Sequence, residues 1–334
     1  MTGNDTEQNS SALTVAVKHV QTFCVVIYCL ITVVGTIGNG LVIFVTGFKM
    51  KKTVNSVWFL NLALADFLFT AFLIFSAVSL YQDHHWPFGQ FMCKLNSFVT
   101  VVTMFASVFF LTAISVDRCL SIWVVVWAQN NRTVFKAQII SAVIWLAAGI
   151  CSTPYVCFRT IIEKNNVTDC FYDTETKNKW SLEIFRFIMG FLIPFLAILF
   201  SSVAITIRSR RLQRQKIQRF HRIVFSVVLA FFICWLPFHI FIFVDKSSNN
   251  EYLVQIGGPL TVCLAFINSC LNPILYVFMC HDFQKKLKQS ICHVLESALT
   301  DDHLSFVSSR SLTSHFSRIT RKSDSAPPED KHGN

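Results

Sequence analysis

Alternation between long apolar runs and short polar breaks divides the chain into seven apolar segments, residues 20–46, 55–81, 91–123, 135–157, 181–207, 220–245 and 254–279. Each is long enough to cross a hydrocarbon layer of ~30 Å as a helix. The run from Cys93 to Cys119 sets the pattern. No side chain between Lys94 and Asp117 is charged, and at helical rise that interval covers roughly 35 Å. The connections are short, so consecutive helices are predicted to be antiparallel neighbours in an all-α bundle of seven transmembrane helices over residues 20–280. No internal repeat marks a transporter built from inverted halves. Past Cys280, the residues Phe283, Leu287, Ile291 and Leu295 recur at helical spacing and predict a short amphipathic helix, 281–298, on the inner leaflet. Residues 1–19 form a polar N-terminal tail. Residues 299–334 are polar and Ser/Thr-rich, a composition expected to stay disordered and open to phosphorylation.

Composition agrees with an integral membrane domain. The chain is 53% hydrophobic with 34 Phe and only 14% charged residues, against about a quarter charged in soluble domains. The net charge of +10 is concentrated in short loops: Lys49, Lys51 and Lys52; Arg132 and Lys136; Arg208 to Arg219; Lys285, Lys286 and Lys288. Alternate loops are thus basic, which places them in the cytoplasm and the N-terminus outside. These clusters are juxtamembrane and lack interleaved aromatics, so membrane lipid, not nucleic acid, is the expected partner, and Arg208–Arg219 doubles as a docking surface for a cytoplasmic protein. The opening residues carry no basic region of a cleavable signal, so the first span is expected to anchor itself. Asn4 and Asn9 are glycosylation sequons on that tail and Asn166 is one in a later outer loop, whereas Asn131 falls on the cytoplasmic side.

Polar residues inside the spans are the candidates for chemistry. Asn39 and Asp66 lie at hydrocarbon depth, where an ionisable group is costly and functional by default; the bland alternative is a protonated Asp66 bonded to Asn39. Pro237 and Pro273 interrupt the sixth and seventh spans, with Trp235 beside the first break, and favour a bundle that moves. His84 and His85 lack a third metal ligand and read as a solvated or stacking pair. Cys93, at the outer end of the third span, finds its best partner in Cys170; the other cysteines sit in spans or near the cytosol. Cys292 is a candidate palmitoylation site.

Gly38-Asn39, Asp66, the Cys93 and Cys170 pair, Asp117-Arg118-Cys119, Trp145, Pro194, Cys234-Trp235-Leu236-Pro237 and Asn272-Pro273 to Tyr276 together resemble the rhodopsin-like (class A) G-protein-coupled receptors over residues 20–295. Finer stretches resemble the chemoattractant-receptor group, which includes formyl-peptide, chemerin and anaphylatoxin receptors. Val126 to Asn130, Arg219-Phe220 with Arg222, Leu264 to Ser269 and Val294 to Ser297 are most similar to its prostaglandin D2 member.

The resemblance implies a plasma-membrane receptor, not an enzyme, that signals chemotaxis or inflammation through a Gi-type heterotrimeric G protein, with receptor kinases and arrestin acting on the tail. Arg159 and Arg186 are expected at the outer mouth, where two guanidiniums suit the carboxylate of an acidic ligand, prostaglandin D2 or a related lipid, with a chemerin-like or formyl-peptide-like ligand as the alternative. The bland reading pairs Arg186 with Glu183 and Arg159 with Glu163 one helical turn away. Thr100, Val101, Met104, Tyr172, Phe238, His239 and Ile242 would form the walls. Formyl-peptide receptors carry an aspartate where Val101 stands; the prostaglandin receptor has lysine at Arg186 and tyrosine at Phe238. Asp66, Ser107, Asn268 and Asn272 resemble the family's allosteric sodium site, the one metal ion implied; Trp235 and Tyr276 belong to its activation machinery. Asp117 is expected to hold Arg118 at rest and release it to the G protein. Ser202 and Val125 replace a tyrosine and a proline common in the family, which opens an arrestin-biased or scavenging alternative. An opsin would need a lysine near Phe266, and no nucleophile and base assemble into an enzyme site.

Overall fold

The computed structural model describes residues 2–164, 167–173, 176–212, 215–247 and 253–279. Asn166, Cys292, the 281–298 segment and the 299–334 tail lie outside the described residues, as do the side chains of Asn4, Asn9 and Tyr276.

Seven helical passes follow the apolar runs. They are α1 (Thr2–Phe44), α2 (Val54–Tyr81), α3 (Gly89–Trp123), α5 (Val134–Cys157), the pair α6 (Thr176–Phe187) and α7 (Ile193–Leu212), α8 (Gln215–Ser247) and α9 (Gly258–Met279), with a short α4 (Val125–Asn131) between α3 and α5. Among the described residues, six stretches are long and apolar enough to cross a membrane, and α8 supplies a shorter one, Val228–Val244. Where an apolar run meets a charged or capping residue, the predicted boundary holds: Thr53 accepts from the Ser56 N–H at the start of α2, and Thr133 accepts from the Lys136 N–H at the start of α5. At two places the helix runs on past the apolar segment. It includes the polar tail from Thr2, and the basic stretch 208–219 is helical on both sides of residues 213–214 rather than a loop.

π-helical turns lie at Val45–Lys49, Ile188–Leu192 and Leu253–Gly257. A π turn inserts an extra residue and so rotates whatever follows it about the helix axis. The turn at Ile188–Leu192 joins α6 to α7 and lies directly after Arg186 and Phe187.

The core is stitched by polar groups spaced along the bundle. The Trp145 indole N–H donates to Asn61 Oδ1 at 3.0 Å, tying α5 to α2. Asn39 Nδ2 donates to the Ser269 carbonyl at 2.9 Å and Cys270 Sγ to the Ile31 carbonyl at 3.5 Å, tying α1 to α9. Gly35 and Gly38 let these helices close on Thr70 and Pro273.

Among the described residues, one loop forms strands. Strands β1 (Arg159–Lys164) and β2 (Val167–Tyr172) pair antiparallel, with Arg159 opposite Tyr172 and Ile161 opposite Cys170. The bundle itself is helical as expected, and only this loop pairs as strands among the described residues, being rich in the strand formers Thr, Ile, Val, Phe and Tyr. The Cys93–Cys170 disulfide ties β2 to the start of α3. Gln90 accepts from the Ile161 N–H and donates to the Arg159 carbonyl. The paired histidines have a structural role here: His85 Nδ1 accepts from the Thr168 N–H, and the Trp86 N–H donates to the Thr168 carbonyl.

Candidate functional site

At the disulfide end of the bundle, α5, α6 and α8 converge on Arg186. Its guanidinium lies over the Tyr155 ring at 4.9 Å and the Phe238 ring at 5.8 Å, and Nη1 is 3.3 Å from Glu183 Oε2, both side chains largely buried. Tyr155 is fully buried and donates its hydroxyl to the Leu182 carbonyl at 2.7 Å, which leaves its oxygen lone pairs facing the cation. Arg159 comes from the hairpin. Its guanidinium sits 4.3 Å from the Tyr172 ring, a contact set by the register that makes the two residues cross-strand partners. Burial lowers the Arg159 pKa; Tyr172 and Asp169 oppose that shift, and the charge of Arg186 adds to it. The two cations therefore share one electrostatic environment. The Nε–H groups of both are buried without an acceptor among the described residues.

The alternative pairings resolve differently. Arg186 does meet Glu183 one turn away. Arg159 faces Tyr172 rather than Glu163, since four residues on a strand span ~13 Å instead of one helical turn.

The wall residues divide into two groups. Phe238 touches Arg186, and Tyr172 backs Arg159. His239 is enclosed by Phe187, Phe191, Trp235 and Phe238, with ring centres 4.9–6.2 Å away, so it packs an aromatic layer beneath the cations. Val101 is buried, Thr100 donates to the carbonyl of Asn96 in its own helix, and Ile242 is half-buried one turn beyond Phe238. Met104 and Trp235 line a small cavity directly below, together with Asp66, Ser107, Asn268, Ser269, Thr103, Phe69 and Phe231. That cavity joins the aromatic layer to the polar centre of the bundle.

In that centre, Asn272 Nδ2 donates to Asp66 Oδ2 at 2.6 Å and Ser107 Oγ to Asp66 Oδ1 at 3.4 Å. Asn39 turns away to the Ser269 and Gly35 carbonyls, so the Asp66–Asn39 bond is not formed. The side-chain amide oxygens of Asn268 and Asn272 are buried without a donor among the described residues. A carboxyl group, a hydroxyl and amide oxygens without a donor around a cavity offer the oxygen ligands that a small hard cation takes.

At the other end of the bundle, Asp117 meets two guanidiniums. Asp117 is held chiefly by Arg132, whose Nε lies 2.9 Å from Oδ1 and Nη2 2.9 Å from Oδ2. Arg118 Nη2 is 3.7 Å from Oδ2, since adjacent helical positions do not face one another. The Trp123 indole donates to the Ala204 carbonyl at 3.1 Å, with Arg208 over its ring, at the height where Ser202 stands on α7.

Tyr155, Asn55, to whose Oδ1 the Arg132 Nη2 donates, and the pairing role of Arg132 escaped the sequence. Arg132 had a signal: it is the first basic residue after Arg118. Tyr155 had only its place beside Pro154.

The family profile described as 7 transmembrane receptor (rhodopsin family) matches residues 38–276. The chain is 39% identical over 295 residues to the C3a anaphylatoxin chemotactic receptor of Danio rerio, covering 86% of this chain and 81% of that protein. It is 39% identical over 301 residues to Chemerin-like receptor 1 of Homo sapiens (84% and 80%), and 39% identical over 286 residues to Chemerin-like receptor 2 of Macaca mulatta (82% and 80%). With its seven helical passes, its one disulfide-tied hairpin and these relatives, the chain belongs to the rhodopsin family of seven-transmembrane G-protein-coupled receptors.

Proposed function

We propose that this chain is a plasma-membrane chemoattractant receptor whose ligand is a peptide or protein of the chemerin or anaphylatoxin kind, held by a carboxylate at Arg186 and Arg159. The relatives favour that ligand class over prostaglandin D2. The observation that carries the reading is the pair of buried guanidiniums with unmatched Nε–H groups at one mouth of the bundle. A buried donor without a partner costs ~1–3 kcal/mol, more when charged, and a carboxylate relieves that cost bidentately. The aromatic and aliphatic floor under the cations supports a second reading, an acidic lipid such as prostaglandin D2.

In this proposal the disulfide end faces outward with the N-terminal tail, glycosylated at Asn4, Asn9 and Asn166, and the Asp117 end faces the cytoplasm with Cys292 palmitoylated. Ligand binding shifts the aromatic layer at Trp235. Asp66, Ser107, Asn268 and Asn272 hold sodium in the resting state, and ligand and ion oppose one another by population shift. Arg118 then engages a Gi-type protein, Tyr276 takes part in the same rearrangement, and arrestin acts on the tail. Cells expressing the chain, challenged with chemerin, C3a, a formyl peptide and prostaglandin D2, test this. A peptide agonist whose response is lost in Arg186→Ala supports it; an agonist with an unchanged dose curve in Arg186→Ala refutes the pocket. Inhibition of cyclic AMP that pertussis toxin blocks identifies Gi, and arrestin recruitment alone identifies the biased alternative that Ser202 and Val125 raise.

A further inference from the structure

Helices α1 and α9, the first and seventh passes, run in the same direction, so positions along them can be counted in parallel. Cys270 Sγ on α9 donates to the Ile31 carbonyl on α1. Seven residues back along each helix, close to two full turns, the same faces present Cys263 and Cys24. Both cysteines are buried, in one cluster with Tyr28, Ile31 and Phe69. Their thiols share a hydrogen bond, and the Tyr28 hydroxyl shares another with Cys263. Gly35 and Gly38 keep α1 in contact with Cys270 and Pro273 of α9. Gln21, one turn outward from Cys24, donates to the Leu80 carbonyl at 2.6 Å and to Asp83 Oδ1 at 3.0 Å, the latter an exposed bond at the disulfide end of the bundle. A single helical turn therefore separates the buried thiol pair from the polar edge of the bundle.

We propose that Cys24 and Cys263 are a modification site for hydrogen peroxide, at which the thiol pair closes to a disulfide and fastens α1 to α9, the helix that carries Asn268 and Asn272. One sulfur attacks the peroxide, the O–O bond breaks, and the departing hydroxide takes the thiol proton and leaves as water. The second sulfur then attacks the sulfenic acid so formed, the S–O bond breaks, and the hydroxyl leaves with the second thiol proton as another water. Both sulfurs are oxidised and one peroxide is reduced to two waters. Burial slows the first step, whereas the facing thiol makes the second intramolecular. The pair thus stays reduced at low peroxide and closes as a unit at high peroxide.

The test exposes detergent-purified full-length receptor to increasing hydrogen peroxide, then denatures it, alkylates it with N-ethylmaleimide, digests it and reads the peptides by mass spectrometry. Alkylated Cys24 and Cys263 should be lost together. A peptide pair joined through them, lighter by the two thiol hydrogens, should appear in their place and vanish with dithiothreitol. A joined pair already present before peroxide is added supports the proposal equally. Cys270, which faces the Ile31 carbonyl, should stay alkylated throughout. In Cys24→Ser, Cys263 should remain alkylated at the peroxide concentration that converts the parent. Cys24 and Cys263 that both remain alkylated when the exposed Cys157 is oxidised overturn the proposal, as does either of them joined to a different cysteine. A Cys24→Ser receptor that loses alkylated Cys263 as fast as the parent overturns it too, since the two thiols would then not act as a unit.

Discussion

Replacing Gly35 by alanine tests the packing that brings α1 against α2 and α9. A Cβ at residue 35 would lie within van der Waals overlap of the Thr70 methyl, 3.0 Å from Thr70 Cβ and 3.1 Å from Cys270 Sγ. Carbon atoms in favourable contact sit ~3.5–4.0 Å apart, so Thr70 must move by roughly an ångström. It is poorly placed to do so: it is fully buried, its hydroxyl donates to the Phe67 carbonyl at 3.2 Å and Thr36 Oγ1 lies 3.3 Å away. Overpacking of this kind costs ~1–3 kcal/mol, which outweighs the ~1 kcal/mol that alanine gains over glycine as a helix former. Gly149 on α5 is the matched contrast, because nothing lies within 4 Å of a Cβ there. Thermal melting of the detergent-purified receptor should therefore fall for Gly35→Ala and rise slightly for Gly149→Ala. Adding Thr70→Ser to Gly35→Ala removes the clashing methyl and keeps the hydroxyl. It should recover about half of the loss, since the contacts to Thr70 Cβ and Cys270 Sγ persist. A Gly35→Ala receptor that melts at or above the parent temperature would refute this account of the α1, α2 and α9 junction.

Three further outcomes are expected. Parent receptor should melt higher in sodium chloride than in choline chloride at equal ionic strength, and Asp66→Asn should abolish that difference; a sodium effect that survives in Asp66→Asn removes the cation site. Cys93→Ser should destabilise by ~2–5 kcal/mol, because it frees a loop spanning 77 residues, and dithiothreitol should depress the parent melt but not the variant's. Trp145→Phe, which deletes the bond to Asn61 while preserving the ring against Phe110, should cost ~0.6–1.7 kcal/mol by the range measured for hydrogen bonds inside membranes; a melt identical to the parent's would assign that junction to packing alone.

The bundle was legible in the sequence because its boundaries are chemical. Residues 55–81 and 135–157 became α2 (Val54–Tyr81) and α5 (Val134–Cys157), with charged or capping residues at their ends. The cluster around Asp66 was legible too, since a carboxylate at hydrocarbon depth demands partners, although which amide it chose depended on how α1 and α9 pack. Loop geometry was not. Arg159 and Glu163 read as a helical pair until the hairpin placed Arg159 opposite Tyr172. The fork between Arg132 and Asp117 joins residues 15 apart through a tertiary turn, and no local spacing encodes it. The π turn after Arg186 likewise leaves no periodic trace in a uniformly apolar run. The charges at the mouth were therefore visible as a set of residues, and their pairing only as a structure.

The central claim is that a ligand carboxylate bridges Arg186 and Arg159, and the most direct measurement compares one peptide agonist, chosen from chemerin, C3a and formyl-peptide sequences, as its free C-terminal acid and as its C-terminal amide. On the parent receptor the acid should be at least tenfold more potent than the amide, and on Arg186→Ala the two should act alike at the amide's weak level. Equal potency of acid and amide on the parent, or a preference that persists in Arg186→Ala, would contradict the account.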